Sequence, residues 1–234
     1  MSQGKLILIP NLIGDENFKN VLTEKVIQTI KETNFFIVEN IRTARRYIKR
    51  IVPEKPIDKI TFFAYGKHNS FNLQEDFLQN ILLGNDIGII SEAGVPAVAD
   101  PGSKIVEYAH KFNIKVTPLV GASSILLALM SSGMNGQNFA FNGYLPIEKK
   151  DQIKKIKYLE SICKKTNQTQ IFMETPYRNN KLFNTIINVC NGNTKLCIAS
   201  NITQNNESII TKEIREWKTI KINIDKQPTI FLIS

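Results

Sequence analysis

The sequence predicts an α/β protein in two successive halves, a mostly parallel sheet followed by a mixed one. Three observations predict it. Short apolar runs alternate with amphipathic stretches along the first half, the pattern of parallel strands joined by helices on both faces. The second half repeats the alternation with fewer helices and ends on strand-like runs lying close together, so antiparallel pairing is expected there. With 234 residues, 42% of them hydrophobic and 22% charged, the chain has the apolar material for a core, and disorder or collagen-like order is excluded. The halves are placed at 1–118 and 119–234, within a transition running from Leu119 to Pro146 that includes a polar, turn-rich stretch.

The elements follow in order. Lys5 to Ile9 is a compact apolar run, read as a buried strand, followed by Pro10 and a Gly14-Asp15 turn. Val21, Val26 and Ile30 give a helical stripe, and Phe35 to Val38 a second buried strand. Ile41 to Ile51 reads as a basic helix stopped by Pro53. Ile60 to Ala64 is a third strand; Leu73, Phe77 and Ile81 mark another helix, ended by Gly84; Asp86 to Ile90 is a fourth strand. Gly102 precedes a helix over Lys104 to Phe112, Lys115 to Leu119 is a fifth strand, and an apolar helix follows from Ile125 to Ser132. In the second half Ile153, Ile156, Leu159 and Ile162 recur at helical spacing within Glu148 to Lys165. Strand Thr169 to Glu174 precedes a helix whose stripe is Leu182, Phe183, Ile186, Ile187 and Cys190. Lys195 to Ser200 is a strand, and Ile209-Ile210, Thr219 to Ile224 and Thr229 to Ile233 are read as strands too.

Charge is unevenly spread. The chain carries 30 Lys plus Arg against 21 Asp plus Glu, a formal +9. Residues 1–118 hold 15 basic and 13 acidic side chains, a net of +2, and residues 119–234 hold 15 and 8, a net of +7. Much of that excess is a lysine face on the Glu148 to Lys165 helix, either a solvated face or a surface that attracts a phosphate backbone. No apolar run approaches the roughly 18 residues of a membrane span, and the amino terminus turns acidic after a short strand-like run instead of resembling a signal peptide. A soluble cytoplasmic protein with no membrane partner is expected. Cys163, Cys190 and Cys197 form no C-x-x-C pair, and with His68 and His110 as the histidines no zinc cluster of usual spacing can be written, so no metal is expected.

The most informative stretch runs from Ser91 to Gly102: Ser91-Glu92-Ala93-Gly94-Val95-Pro96-Ala97-Val98-Ala99-Asp100-Pro101-Gly102. It leaves the carboxyl end of an apolar strand, where an open α/β sheet builds its ligand crevice, and its small residues let a ligand lie on the main chain. Neither G-x-G-x-x-G after the first strand nor G-x-x-x-x-G-K-[ST] anywhere is present, which argues against an ordinary dinucleotide fold or a P-loop.

This stretch, followed by Pro118-Leu119-Val120-Gly121-Ala122-Ser123-Ser124, Gly143-Tyr144-Leu145-Pro146 and Phe172-Met173-Glu174-Thr175-Pro176-Tyr177-Arg178, resembles the tetrapyrrole methylase superfamily. Within it the chain is most similar to the branch of 16S ribosomal RNA (cytidine) ribose-2′-O-methyltransferases, with further matches at Val38-Glu39-Asn40-Ile41-Arg42-Thr43-Ala44-Arg45-Arg46 and Lys67-His68-Asn69. The resemblance covers most of the chain, as a short form without the branch's carboxyl-terminal extension. It implies two α/β domains with S-adenosylmethionine in the cleft between them, a homodimer, and small-subunit RNA as substrate. The family pattern puts the cofactor against Pro10, against Ala93, Gly94, Val95, Pro96 and Val98, and against Ser123 and Ser124. Further cofactor positions are Met173, Glu174, Ala199, Ile202, Pro228 and Thr229. The chain departs from the branch pattern where acidic or basic positions have become Asn40, Asn201 and Gln204, and amides exchange no protons at neutral pH.

Methyl transfer from a sulfonium is an in-line displacement, so alignment and exclusion of water are the main work. A ribose hydroxyl also needs help losing its proton. Glu39, after an apolar strand, is the first residue for a polar catalytic role, or an acid paired with Arg42, Arg45 or Arg46. His68 is the second, or an ordinary surface histidine. Arg42, Arg45, Arg46 and Lys49 share a helical face that suits RNA phosphates or solvent equally. Besides RNA methylation, the sequence leaves open a cofactor-binding protein of altered or lost catalysis, and methylation of a tetrapyrrole-like small molecule.

Overall fold

The computed structural model describes residues 3–14, 17–66 and 71–234. The chain divides into two compact units, Met1–Ser123 and Ser124–Ser234.

In the first unit, β1 (Leu6–Ile9), β2 (Phe35–Val38), β3 (Thr61–Ala64), β4 (Ile87–Ile90) and β5 (Val116–Pro118) form a five-stranded sheet in the order β3-β2-β4-β1-β5. Every neighbouring pair is parallel. The helices are α1 (Glu24–Glu32), α2 (Ile41–Ile51), α3 (Gln79–Leu82, entered through a π-helical turn at Leu73–Leu78) and α4 (Ser103–Lys111). Because side chains alternate along a strand, each apolar run feeds two cores. Ile7, Ile9, Phe36 and Val38 pack with Val26 and Ile30 of α1 and Tyr47 and Ile48 of α2. Leu6, Ile37, Ile87 and Ile89 pack on the other face with Phe77, Ile81, Ile105 and Ala109. Gly88 sits mid-strand because a Cβ there would lie 2.6 Å from Ile9 Cδ1 and 3.0 Å from Phe36 Cδ1.

α2 starts and stops where its sequence says. Asn40 caps it, its Oδ1 accepting from the amides of Arg42 (2.9 Å) and Thr43 (3.4 Å). An asparagine caps as well as an aspartate, so this departure from the branch pattern leaves the helix start intact.

The second unit is a mixed sheet of β6 (Phe139–Tyr144), β7 (Thr169–Met173), β8 (Lys195–Ser200), β9 (Ser208–Glu213) and β10 (Thr229–Ile233), in the order β6-β7-β10-β8-β9. β6 and β7 are parallel; β10 runs antiparallel to β7 and β8, and β8 to β9. Helices α6 (Lys149–Thr166), α7 (Asn179–Val189) and α8 (Ile214–Trp217) cover one face, where Phe172 and Phe231 stack at 6.1 Å. Helix α5 (Ser124–Ser132) covers the other through Ala128 and Leu129. All three cysteines are free and buried, and burial pushes the Cys190 thiol up to about 12.

Two expectations about strands are corrected. Thr219 to Ile224 is not a strand. Its alternating Ile220, Ile222 and Ile224 do turn to one side, but onto the helix-covered core, and Ile224 bonds through its amide to Asn180 Oδ1 (3.0 Å) instead of to a neighbouring strand. β6 is a strand that the sequence reading passed over, since Asn142 and Gly143 interrupt its pattern, and the pairing shifts register between Phe141 and Tyr144. Antiparallel pairing near the end of the chain is present, although β9 and β10 are separated by β8.

Candidate cofactor and catalytic site

In the parallel sheet, the connection leaving β1 packs α1 on one face, and the connection leaving β4 packs α4 on the other. β1 and β4 are neighbours, so the crevice at their carboxyl ends is the topological switch point, where open α/β sheets bind ligands. The loop after β1 (Pro10 to Gly14), the loop after β4 (Ser91 to Gly102) and the segment after β5 (Leu119 to Ser123) come together there.

Backbone bonds tie the first two loops in both directions: the Asn11 amide donates to Gly94 O (2.8 Å), and the Gly94 amide to Leu12 O (3.2 Å). Asn11 Nδ2 donates to the carbonyl oxygens of Ser91 (2.8 Å) and Glu92 (3.2 Å). The buried Ser91 hydroxyl donates to Gly94 O at 2.8 Å. Gly94 has φ +67°, and a Cβ there would stand 3.1 Å from Ala122 O. A Cβ on Gly121 would lie 2.1 Å from Pro10 Cβ, so the third segment rests directly on the first. Pro10 is itself anchored by Tyr47, whose buried hydroxyl donates to its carbonyl at 2.6 Å. Ala97 (φ 65°) and Ala99 (φ 60°) occupy the left-handed region that alanine normally avoids. Asp100 holds that turn by accepting from the amides of Ala97 (2.9 and 3.0 Å) and Gly102 (2.7 Å).

Glu39 follows β2 on this same edge. Glu39 is exposed, yet partial desolvation, and then the negative charges of Asp100 and Glu92, raise its pKa above the ordinary carboxylic value, against a bond from the Glu92 amide. Asp100 is raised by burial too, against the amides that bond it. Glu39 forms no ion pair with Arg42, Arg45 or Arg46 among the described residues; Arg45 instead lies over the Phe62 ring at 5.5 Å. The Arg42 side chain is exposed. Thr43 ties the start of α2 to the crevice by donating to Glu92 Oε1 at 2.7 Å. His68 lies outside the described residues.

The first unit therefore gathers Pro10, Ala93, Gly94, Val95, Pro96, Val98 and Glu39 at one edge. Pro10, Gly94 and Pro96 are buried and shape the loops, while Ala93 and Val98 present surface. Ser123 closes this unit and Ser124 opens α5 of the next.

In the second unit the ends of β7 and β8 and the start of β10 share an edge: Met173 pairs with Ile230, Ala199 with Ile230 and Ser200 with Thr229. Ala199 and Ile202 are buried in that unit's core, Thr229 is buried with its hydroxyl 3.0 Å from Ser200 Oγ, and Pro228 is exposed. Asn201 adopts φ +51°, a conformation asparagine tolerates better than most residues. Gln204 follows on this turn, its amide donating to Asn201 O at 2.9 Å.

Glu174 is fixed by the Thr175 amide (2.7 Å) and the Arg178 guanidinium (2.6 Å), with 1% of its side chain exposed. Arg178→Met would strand that carboxylate, and breaking such a pair costs about 3–5 kcal/mol. The partly exposed Arg178 puts the expected loss at the lower end. Urea unfolding should show it, with Glu174→Gln/Arg178→Met regaining most of the loss; an unshifted midpoint for Arg178→Met would reject the role.

Sequence reading missed Asn11, Tyr47 and the contact of Thr43 with Glu92. Asn11 meets Ser91 across 80 residues, and no local pattern announces such a bond. Among the described residues no helix is long and apolar enough to cross a membrane, and no cluster of three or more metal-ligating side chains forms.

No family model matches the sequence. Among solved structures, the chain is similar to the methyltransferase CobJ (TM-score 0.62, 16% identity, 99% of this chain and 94% of that one). It is also similar to a uroporphyrin-III C-methyltransferase of Thermus thermophilus complexed with S-adenyl homocysteine (TM-score 0.54, 14% identity, 99% and 97%). These likenesses establish the fold. Among curated proteins, it is 28% identical over 215 residues to ribosomal RNA small subunit methyltransferase I of Halalkalibacterium halodurans, covering 92% of this chain and 70% of that one. It is 30% identical over 206 residues to the protein of the same name in Buchnera aphidicola subsp. Schizaphis graminum, covering 88% and 68%. With the fold established, 30% identity across more than two thirds of both chains means that this chain belongs to the ribosomal RNA small subunit methyltransferase I family.

Proposed function

We propose that this chain is an S-adenosylmethionine-dependent methyltransferase acting on a ribose 2′-hydroxyl of small-subunit ribosomal RNA, as a cytoplasmic homodimer. Kinship with the named methyltransferases supports the reaction and the RNA; the resemblance read from the sequence supports the ribose position and the dimer, and a ribosomal RNA substrate suits the cytoplasm. The observation that carries the reading is the crevice after β1, β4 and β5. Its Ser91 to Gly102 loop contains neither lysine nor arginine, and Glu39, Glu92 and Asp100 stand around it. Such a loop suits a sulfonium cation. The residues that would hold the cofactor are Ala93 to Val98 with Pro10 and Ser123 in the first unit, and Ser124, Met173, Glu174, Ala199, Ile202, Pro228 and Thr229 in the second.

S-adenosylmethionine, when bound, supplies an electrophilic methyl group on sulfur. The chain aligns it and excludes water. The rigidity of the loops, locked by the Asn11 to Gly94 ladder and by Asp100, serves that purpose. Glu39, whose raised pKa brings it nearer neutrality, accepts the hydroxyl proton. Arg42, exposed on α2, contacts an RNA phosphate.

The test is incubation with methyl-tritiated cofactor and undermodified small-subunit RNA. Label in RNA, with an RNA affinity that falls steeply with salt, is expected. Label only on small molecules would overturn the RNA assignment, and the absence of calorimetric cofactor binding would overturn the whole reading.

A further inference from the structure

A second recess lies in the second unit, between the β8–β9 end of the sheet and the segment from Trp217 to Gln227. Its volume is about 350 Å³. The floor is apolar, made by Ile198, Ile210, Ile222 and Ile224 with the buried Trp217 behind them. Its polar lining is the amides of Asn201, Asn206, Asn223 and Gln227 with the hydroxyl residues Ser200 and Ser208, neutral donors and acceptors throughout. Among the described residues no charged side chain lines it.

The amides are held in a fixed arrangement. Asn201 Nδ2 donates to Gln227 Oε1 (3.1 Å), Gln227 Nε2 donates to Asn223 O (3.2 Å), and Asn180 Nδ2 donates to Asn223 Oδ1 (2.9 Å). These bonds set the direction of the Asn201, Asn223 and Gln227 groups. Asn201, 4% exposed, keeps its Oδ1 as an acceptor with no partner among the described residues. Asn223 keeps its Nδ2 as a donor, since its Oδ1 takes both Asn180 and the Asp225 amide (3.1 Å). The recess thus offers an oriented acceptor and an oriented donor above an apolar floor.

That chemistry selects a class of ligand. A phosphate, carboxylate or ammonium group would need an opposite charge, and none lines the recess. An aliphatic ligand would leave the amides unpaired. A flat, neutral heterocycle with mixed donors and acceptors on its edge fits both surfaces, and that is a nucleobase. We infer that this recess receives one unstacked base of the RNA, an inference resting on the proposed RNA substrate. Asn201 then has a role its chemistry suits: its Nδ2 is held by Gln227 Oε1, which a carboxylate could not bond, and its Oδ1 is left as a neutral acceptor for the base edge.

The single tryptophan of the chain, Trp217, is a built-in reporter. Guanosine, cytidine and uridine, none of which is part of the proposed cofactor, are titrated separately into the full chain, with ribose 5-phosphate as the control. At least one nucleoside is expected to change the fluorescence saturably, with a Kd of about 1 mM or tighter. Ribose 5-phosphate should not. Asn223→Asp, an exposed isosteric change that replaces the donor by a charge, should weaken that nucleoside about tenfold or more. Asn201→Asp should do the same. Should Asn201→Asp fail to fold, Asn223→Asp decides. No saturable change with any nucleoside, equal binding of ribose 5-phosphate, or unchanged nucleoside binding by Asn223→Asp overturns the inference. Nucleoside binding without RNA methylation would leave the recess standing and remove the proposed function; RNA methylation without nucleoside binding would do the reverse.

Discussion

Gly121→Ala is expected to lower affinity for S-adenosylmethionine at least tenfold and to destabilise the fold by about 1–3 kcal/mol, the range for forced overpacking. The added Cβ would meet Pro10 Cβ at 2.1 Å and Cγ at 2.5 Å, well inside van der Waals contact. Pro10 cannot yield. It is buried, its carbonyl accepts the Tyr47 hydroxyl, and the next residue is locked to Gly94. The segment after β5 must therefore lift away, taking with it the Ala122 carbonyl that closes over Gly94. Calorimetry and thermal denaturation measure the two effects. Gly136→Ala, which adds a methyl where nothing lies within 4 Å, is the control and should leave cofactor affinity unchanged. A Gly121→Ala protein that binds cofactor as tightly as the parent would detach this edge from the cofactor site.

Glu39→Gln should lower the rate of methyl transfer by about 10²–10⁴-fold, the usual contribution of a positioned proton acceptor, while leaving cofactor affinity near that of the parent. Its effect on stability has the opposite sign. Partial desolvation of this exposed side chain and two nearby carboxylates raise the Glu39 pKa in the folded chain, so the folded state holds this proton more tightly than the unfolded one, by an amount that solvent screening keeps small. Stability contributed by this group is therefore present at low pH and lost as pH rises from the unfolded pKa through the folded one. Glutamine never ionises, so the variant should melt higher than the parent at pH 7 and alike below about pH 4, where both forms are neutral. Slower turnover with a higher melting temperature would mark a group kept for chemistry at the expense of the fold. An unchanged rate would remove Glu39 as the acceptor.

Much of the architecture was legible because local pattern and tertiary demand agree. The runs Phe35 to Val38 and Lys195 to Ser200 became strands over those same residues, and Ile41 to Ile51 a helix, since Asn40 caps it and Pro53 follows. Where the two diverged, the sequence misled. Ile220, Ile222 and Ile224 alternate like a strand, but the alternation records only that one side is buried, and the Ile224 amide bonds to Asn180 of helix α7 instead of to a strand. β6 escaped notice because a bulge at Asn142 and Gly143 breaks the period that announces a strand.

The site divides along the same line. Sequence alone determined the α/β class and marked Ser91 to Gly102 as the candidate functional loop, because small residues, prolines and strand ends are local properties; the methyltransferase kind came from the resemblance those motifs carry. Only the tertiary structure decided which side chains complete the site. Asn11 and Ser91, Tyr47 and Pro10, and Thr43 and Glu92 are joined by hydrogen bonds between segments far apart in sequence. The pKa of Glu39 likewise depends on burial and on Asp100 and Glu92, carboxylates brought to it by the adjacent strand β4. Distance and desolvation fall off over a few ångströms in space, not along the chain, and so they exist only once the chain is folded.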